Sequence, residues 1–384
     1  MTAKFGRMDT GLFIALLVLL GIGIVLVYSS SFAVAQKDFG GADFFLARQI
    51  VRALVAVVLF MIVINVDYHL WSKYSGVIFI AAVCLLAYVL FLPESHALKG
   101  AKRWITLGSV RFQVSDLGRM ALVLMLAKKC GGKQCDTMEW RALMPHLARV
   151  GLISALVVLE PDFSTAFIIA VTGFAILFMA GVKVKHLAAV ILAMAPLAVG
   201  LILKTPYRMM RILGYFNFSE NRDNLGYQVF QSLVGLGNGG LFGTGLGKGE
   251  QKYFYLPEPH TDFILSVLGE EFGFLGIVLV FGIFAFVIYR GMKIALNAPD
   301  KAGQLMAFGF TFIVAVYALV HSAVATGLVP PTGIPMPFLS YGGMSLIFTM
   351  CSMGILLNIS SQSRISTLVS VADKRVRKAR NVKI

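Results

Sequence analysis

Charge is what this 384-residue sequence has least of: 14% of its side chains are charged, 58% are hydrophobic, and only 19 are acidic. Too little polar surface remains to cover a water-soluble domain of this size, which excludes an ordinary globular fold. Cysteine is almost as scarce. The four present, Cys84, Cys130, Cys135 and Cys351, show no paired spacing for a disulfide framework, and the close pair Cys130 and Cys135 has no second pair or histidine cluster to complete a zinc site. They read as structural. The net charge of +15 is gathered on loops and a terminal tail between apolar runs, so nucleic acid is not the implied partner.

What the sequence has in abundance is apolar runs long enough to cross a bilayer, which takes about 20 residues at about 1.5 Å each. Ten such spans are expected, near 11–33, 45–65, 75–93, 115–128, 146–160, 163–181, 187–204, 263–289, 303–327 and 340–360. The fold class is therefore all-α, a polytopic integral membrane protein. The first run, from Gly11 to about Ala33, is too long for a signal-peptide core and is read as a retained helix. Between the fifth and sixth spans, Glu160, Pro161 and Asp162 are expected to form a turn at the membrane surface, because two carboxylates in mid-bilayer are costly. Lysine and arginine favour the segments that are inside when the N-terminus is inside, which places both termini in the cytoplasm. One membrane domain, 1–362, then precedes a basic tail, 363–384, which anionic lipid head groups attract by about 1 kcal/mol per cation. A cytoplasmic protein partner is the other reading of that tail.

A single long loop, about 205–262, joins the seventh and eighth spans on the outer side, and its many aromatics imply that it folds back onto the membrane. It contains GxGxxG at Gly235, Gly237 and Gly240, but without the strand that a dinucleotide fold requires before it. The glycines instead suit a backbone lying close to a ligand or to another helix, with Lys248 and Lys252 facing an anion. Next comes LPEPHTDFI, where His260 and Thr261 precede Asp262 in the expected first turn of the eighth helix. A carboxylate there fits either a helix cap or a tuned general base. Glu270 and Glu271, farther into the same helix, read as partners in a structural ion pair. A second outer cluster holds Lys99, Lys102, Arg103 and Arg111, followed by Asp116 and Arg119 at the start of the fourth span. It reads as a diphosphate site or as solvated loop charge. In the third, Pro330, Pro331, Pro335 and Pro337 lead to Ser340, Tyr341, Gly342 and Gly343, where helix N–H groups could meet an oxygen ligand or simply pack.

In order, VYSSS at 27–31, RWITLG at 103–108, EPDFST at 160–165, GGLFGTGLG at 239–247, LPEPHTDFI at 256–264 and PFLSYGG at 337–343 resemble the SEDS (FtsW/RodA) family of bacterial membrane proteins over nearly the whole chain. Gln251 and Lys252 are similar to the pattern of its cell-division branch, FtsW, more than to the elongation branch, RodA. Three departures stand out. The family's QPSE and lysine are here Gln113, Val114, Ser115, Asp116 and Arg119; PDxGT has become Pro161 to Thr165 with Phe163 and Ser164; and Met344 replaces a serine.

The resemblance implies a peptidoglycan glycosyltransferase that polymerises lipid II at the bacterial cytoplasmic membrane, at the division septum. It implies Asp262 as the base, with Lys102, Arg103, Arg119, Lys248 and Lys252 as candidates to hold the departing diphosphate, and Asp116, Gln251, His260, Thr261 and Ser340 also lining the substrate site. A class B penicillin-binding protein transpeptidase and other division proteins are the implied partners, alongside membrane lipids. A divalent cation could assist at the diphosphate, although the sequence shows no ligand set for one. The competing readings are an elongation polymerase, a lipid II flippase whose intramembrane polar residues Arg52, Asp116, Arg119, Glu270 and Glu271 line a pathway, and a non-catalytic scaffold.

Overall fold

The computed structural model describes residues 8–92, 103–107, 110–132, 140–205, 209–210, 215, 226–253 and 255–381. Lys99, Lys102 and Cys135, together with much of the segment 206–225, lie outside them. The chain runs α1 (Thr10–Phe39), α2 (Phe44–Ile64), α3 (Tyr68–Leu90), β1 (Trp104–Leu107), β2 (Val110–Gln113), α4 (Val114–Cys130), α5 (Trp140–Leu159) and α6 (Phe163–Met179). It continues with α7 (Val184–Leu203), α8 (Tyr227–Asn238), α9 (Ile264–Leu296), α10 (Lys301–Ala325) and α11 (Gly343–Asn381). Among the described residues, eight helices are long and apolar enough to cross a membrane: α1, α2, α3, α5, α7, α9, α10 and the first 21 residues of α11. At 17 residues each, α4 and α6 are at the short limit for a span.

Short, polar-ended α4 is also the most enclosed. Its faces pack against α3, α6 and α10, so nearly every residue from Val114 to Cys130 is buried. The scarce aspartates serve largely as helix starts. Asp9, Asp67, Asp162 and Asp300 accept the N–H of Leu12, His69, Thr165 and Gly303, which supplies partners for donors the helices leave unmatched. Asp67 explains why α3 begins at Tyr68, two turns before the expected position: the polar residues Ser72, Lys73 and Ser75 hide a helical turn that the cap starts. At the other end of the chain, α11 runs unbroken to Asn381, so the basic segment expected from 363 continues the last membrane helix.

Two elements were not foreseen. The antiparallel hairpin of β1 and β2 pairs Trp104 with Gln113 and Leu107 with Val110, and α8 forms within the long loop. What α8 delivers is the glycine-rich segment, which docks on a break in α9. Gly273 departs from helical geometry (φ 67, ψ −167), which frees backbone groups on both sides of it. The loop supplies their partners: Phe274 and Leu275 N–H donate to Gly240 and Leu241 O, at 2.9 and 3.1 Å, while Thr244 and Gly245 N–H donate to Glu270 and Glu271 O, at 2.9 and 3.0 Å. Such an exchange is compulsory where water is excluded. It is feasible only with glycine at the contacts, because a Cβ on Gly239 would lie 1.9 Å from Gly269 O and one on Gly243 2.2 Å from Glu271 O.

The glycines are therefore needed for approach. Gly239→Ala is expected to cost on the order of 1–3 kcal/mol by overpacking. Gly237→Ala, two residues earlier in α8 with nothing within 4 Å of its added carbon, is expected to be neutral or stabilising. Thermal unfolding of both variants in detergent checks the contrast, and equal midpoints would refute it.

Candidate active site

The break in α9 organises the charges around it. The Glu270 carboxylate turns back to accept the N–H of Glu250 (2.8 Å) and of Gln251 (3.2 Å). Glu271 is fully enclosed, where it accepts from Lys252 Nζ at 2.7 Å and from Ser29 Oγ of α1 at 2.6 Å. Lys252 Nζ also donates to Ser29 Oγ at 3.1 Å. The positive charge of Lys252 is thus matched inside the protein, and Gln251 is buried beside it, its side chain against Gly235. Lys248 is exposed on the loop. Of the residues expected to hold an anion, Lys252 is accordingly an internal clamp between α1, the loop and α9.

From that clamp the chain reaches Asp262. The residue lies in a turn just ahead of α9, which begins at Ile264, and so precedes the helix instead of occupying its first turn as expected. Its N–H donates to Glu258 O at 3.2 Å, and Thr261 Oγ1 donates to the same carbonyl at 3.3 Å. The carboxylate is half-buried, facing Gly333, where an added Cβ would stand 3.6 Å from Oδ2. Gly333 itself has φ +70, a conformation that favours glycine. The proline-rich loop therefore brings bare backbone against the acid.

Ser340 and His260 hold these two loops together. Ser340 Oγ donates to Thr261 O at 2.7 Å and accepts the N–H of Met336 at 2.9 Å, while Tyr341 N–H donates to His260 O at 2.8 Å. The His260 ring lies 4.6 Å from that of Phe45 in α2 and 5.6 Å from that of Tyr341. His260, Thr261, Asp262 and Ser340 are thus one cluster, in which His260, Thr261 and Ser340 fix the backbone that carries Asp262.

On the far side of Ser340 lies the second expected cluster. Arg119 Nη2 pairs with Asp116 Oδ1 at 3.1 Å, and its guanidinium sits 4.5 Å from the centre of the Tyr317 ring. A cavity of about 10 Å³, roughly one water in size, is lined by Arg119, Tyr317, Met336, Ser340 and Ser345 and joins this pair to the Ser340 turn. Arg103 is placed elsewhere. It donates to the carbonyls of Glu160 (3.1 Å) and Pro161 (2.6 Å) and approaches Asp162 at 3.8 Å, with Gln113 Nε2 donating to Asp162 Oδ2 at 3.3 Å. In that turn Glu160 is buried, and neither carboxylate oxygen has a hydrogen-bond partner among the described residues. Burial and the neighbouring Asp162 charge push its carboxyl up to about 8, against the pull of Arg103. Sequence reasoning gave no role to Ser29, Tyr317 or Ser345. Ser29 lies in a quoted motif, but nothing local to it signals a carboxylate 242 residues away.

Residues 10–365 match the FTSW_RODA_SPOVE family model, described as a cell cycle protein. The chain belongs to this family. It is 39% identical over 343 residues to a probable peptidoglycan glycosyltransferase FtsW of Geobacter sp. (strain M18), covering 89% of this chain and 94% of that one. It is also 39% identical over 367 residues to stage V sporulation protein E of Bacillus subtilis (strain 168), covering 95% and 100%. Among solved structures it is similar, at TM-score 0.77 and 26% identity over 93% of this chain and 98% of that one, to a chain from work titled "Structural coordination of polymerization and crosslinking by a peptidoglycan synthase complex". It also resembles the rod shape determining protein RodA of Thermus thermophilus, at TM-score 0.69 and 25% identity over 92% and 97% of the two chains.

Two outcomes follow from the charges of this family member. Lys252→Met leaves Glu271 buried without its cation and is expected to destabilise the fold by about 3–5 kcal/mol, whereas the double change Lys252→Met with Glu271→Leu recovers most of that loss. Denaturation midpoints of the two single variants and the double variant test this, and additive losses would rule out a closed pair. Glu160, raised in the folded state, binds a proton that the unfolded chain releases, so stability declines as pH rises towards and through about 8. Thermal midpoints compared at about pH 6 and about pH 8.5 are expected to fall less in Glu160→Gln than in wild type. Equal slopes would contradict it.

Proposed function

We propose that this protein is a peptidoglycan glycosyltransferase that polymerises lipid II, with Asp262 as its general base. The observation that carries this reading is a half-buried carboxylate on a turn fixed by Ser340 and Tyr341, at the end of the bundle expected to face outward. Two relatives, at 39% and 37% identity, are named probable peptidoglycan glycosyltransferase FtsW, which fixes the reaction class that such a base would serve.

In the step itself, the 4-hydroxyl oxygen of the acceptor sugar attacks the anomeric carbon of the donor. The hydroxyl proton passes to Asp262, and the bond from the anomeric carbon to the phosphate oxygen breaks, releasing undecaprenyl diphosphate with its electron pair. Cations stabilise the charge that develops on the leaving group. Among the described residues, no group of three or more His, Cys, Asp or Glu side chains is placed to hold a metal ion.

The distribution of charge favours surface chemistry over transport. Among the described residues, the buried charged side chains are Asp116, Arg119, Glu160, Asp162, Lys252, Glu270 and Glu271 at the expected outer end, with Asp9 at the other. A flippase that carries a charged head group needs charged partners through the full depth of the bilayer. A class B penicillin-binding protein that crosslinks the product and a position at the division septum complete the proposal. The support for that partner is the resemblance to a chain solved in a synthase complex.

Asp262→Asn is expected to lower the polymerisation rate by about 10²–10⁴-fold while leaving the thermal midpoint close to wild type. Glycan products from labelled lipid II, made by the purified protein with its partner transpeptidase in nanodiscs, provide the measurement. A folded Asn variant with full activity would remove the assignment.

A further inference from the structure

Among the described residues, one arginine keeps a buried guanidinium nitrogen without a hydrogen-bond partner. Lys252 is neutralised by Glu271 and Arg119 by Asp116, while Arg103 is held by the Glu160 and Pro161 carbonyls with Asp162 nearby. Arg52 has no such partner among the described residues. It lies in α2, eight residues and about 12 Å beyond Phe44, and so within the expected membrane span. Its guanidinium rests on the Tyr341 ring, 4.6 Å from the centre, and its Nη1 is buried without a hydrogen-bond partner. A ring face only partly offsets the cost of placing an arginine there.

What faces Arg52 makes the imbalance larger. A Cβ on Gly343 would stand 3.7 Å from Arg52 Cζ and 3.9 Å from Nη1, and Gly343 is the first residue of α11. A helix start presents unmatched N–H groups and partial positive charge, so two positive features meet here. One turn away on the same buried face of α2 is Gln49, fully enclosed, with neither amide atom hydrogen-bonded among the described residues. It sits between Phe45 and Arg52, both of which pack on Tyr341, at 5.2 and 4.6 Å.

We propose that Arg52, Gln49 and the start of α11 form an anion site for the diphosphate of a polyprenyl-linked sugar. A guanidinium and helix N–H groups offer donors matched to phosphate oxygens. The location fits that ligand, since Tyr341 N–H is bonded to His260 O, two residues from Asp262. The assignment rests on the glycosyltransferase reading for the identity of the ligand. Binding is nevertheless measurable without turnover.

The test is binding of undecaprenyl diphosphate to the full chain in phosphatidylcholine nanodiscs, for wild type, Arg52→Gln, Arg52→Lys and Gly343→Asp. Arg52→Gln is expected to weaken binding about ten- to a hundredfold, and Arg52→Lys less. Gly343→Asp sets a carboxylate beside Arg52 at a helix start that favours it, so it is expected to abolish binding while keeping or raising the thermal midpoint. Phosphatidylglycerol in excess is expected not to compete. Unchanged binding in both Arg52→Gln and Gly343→Asp would overturn the site, and equal displacement by phosphatidylglycerol would reassign it to a phospholipid head group. Arg52-dependent binding in a protein that makes no glycan would sink the polymerase reading and leave the site standing.

Discussion

A broken membrane helix must find hydrogen-bond partners for its freed backbone, and the rest of this site depends on how α9 does so. The interruption at Gly273 is met by the strip from Gly240 to Gly245, which gives and receives four backbone hydrogen bonds. In hydrocarbon an unmatched peptide group is too costly to tolerate, so the loop and the helix are obligate partners. Once they are joined, Glu270 and Glu271 point at the chain that follows and fix Gln251 and Lys252. Only about ten residues then separate the clamped lysine from Asp262. The position of the acid is a consequence of the break.

The same enclosure decides which charges are available for chemistry. A buried ion pair adds little net stability but fixes geometry, because each partner is costly without the other. Lys252 with Glu271 and Arg119 with Asp116 are such pairs. At the other end of the bundle, Arg290 closes on Asp9, which also caps α1. Charges matched in this way are scaffold. A buried guanidinium nitrogen without a match, as in Arg52, stands out against them.

The helices were legible because lipid imposes length and apolar character on each span, and the turn at Glu160 to Asp162 was legible because carboxylates avoid mid-bilayer. The glycines of the long loop could be read as close backbone contacts, but not which backbone they approach. That partner, the break at Gly273, follows Glu270 and Glu271 in an otherwise apolar helix, and the two carboxylates signal a polar contact there without signalling a break in the backbone. The hairpin of β1 and β2 was missed because four-residue strands carry too little periodicity to register. Of the expected site residues, the structure brings His260, Thr261, Asp262 and Ser340 together and places Arg103 elsewhere, a division that sequence could not make. Ser340 and His260 turn out to hold backbone, and Lys252 to hold Glu271, because those roles depend on contacts between segments far apart in the chain.

The departures from the family pattern in α4 can be understood the same way. Where the pattern has glutamate and lysine, this chain has Asp116 and Arg119, which shortens the acid and lengthens the cation. The 3.1 Å contact shows that Asp116 and Arg119 reach each other. Arginine adds what lysine cannot, a planar face, and Arg119 lays it over Tyr317. The proline missing at Val114 would have served the first turn of α4; in its absence β2 leads straight into the helix, and Gln113 reaches across to Asp162. That contact ties the hairpin to the turn held by Arg103. Its geometry follows from the summed length of side chains that meet, and no single residue identity determines it.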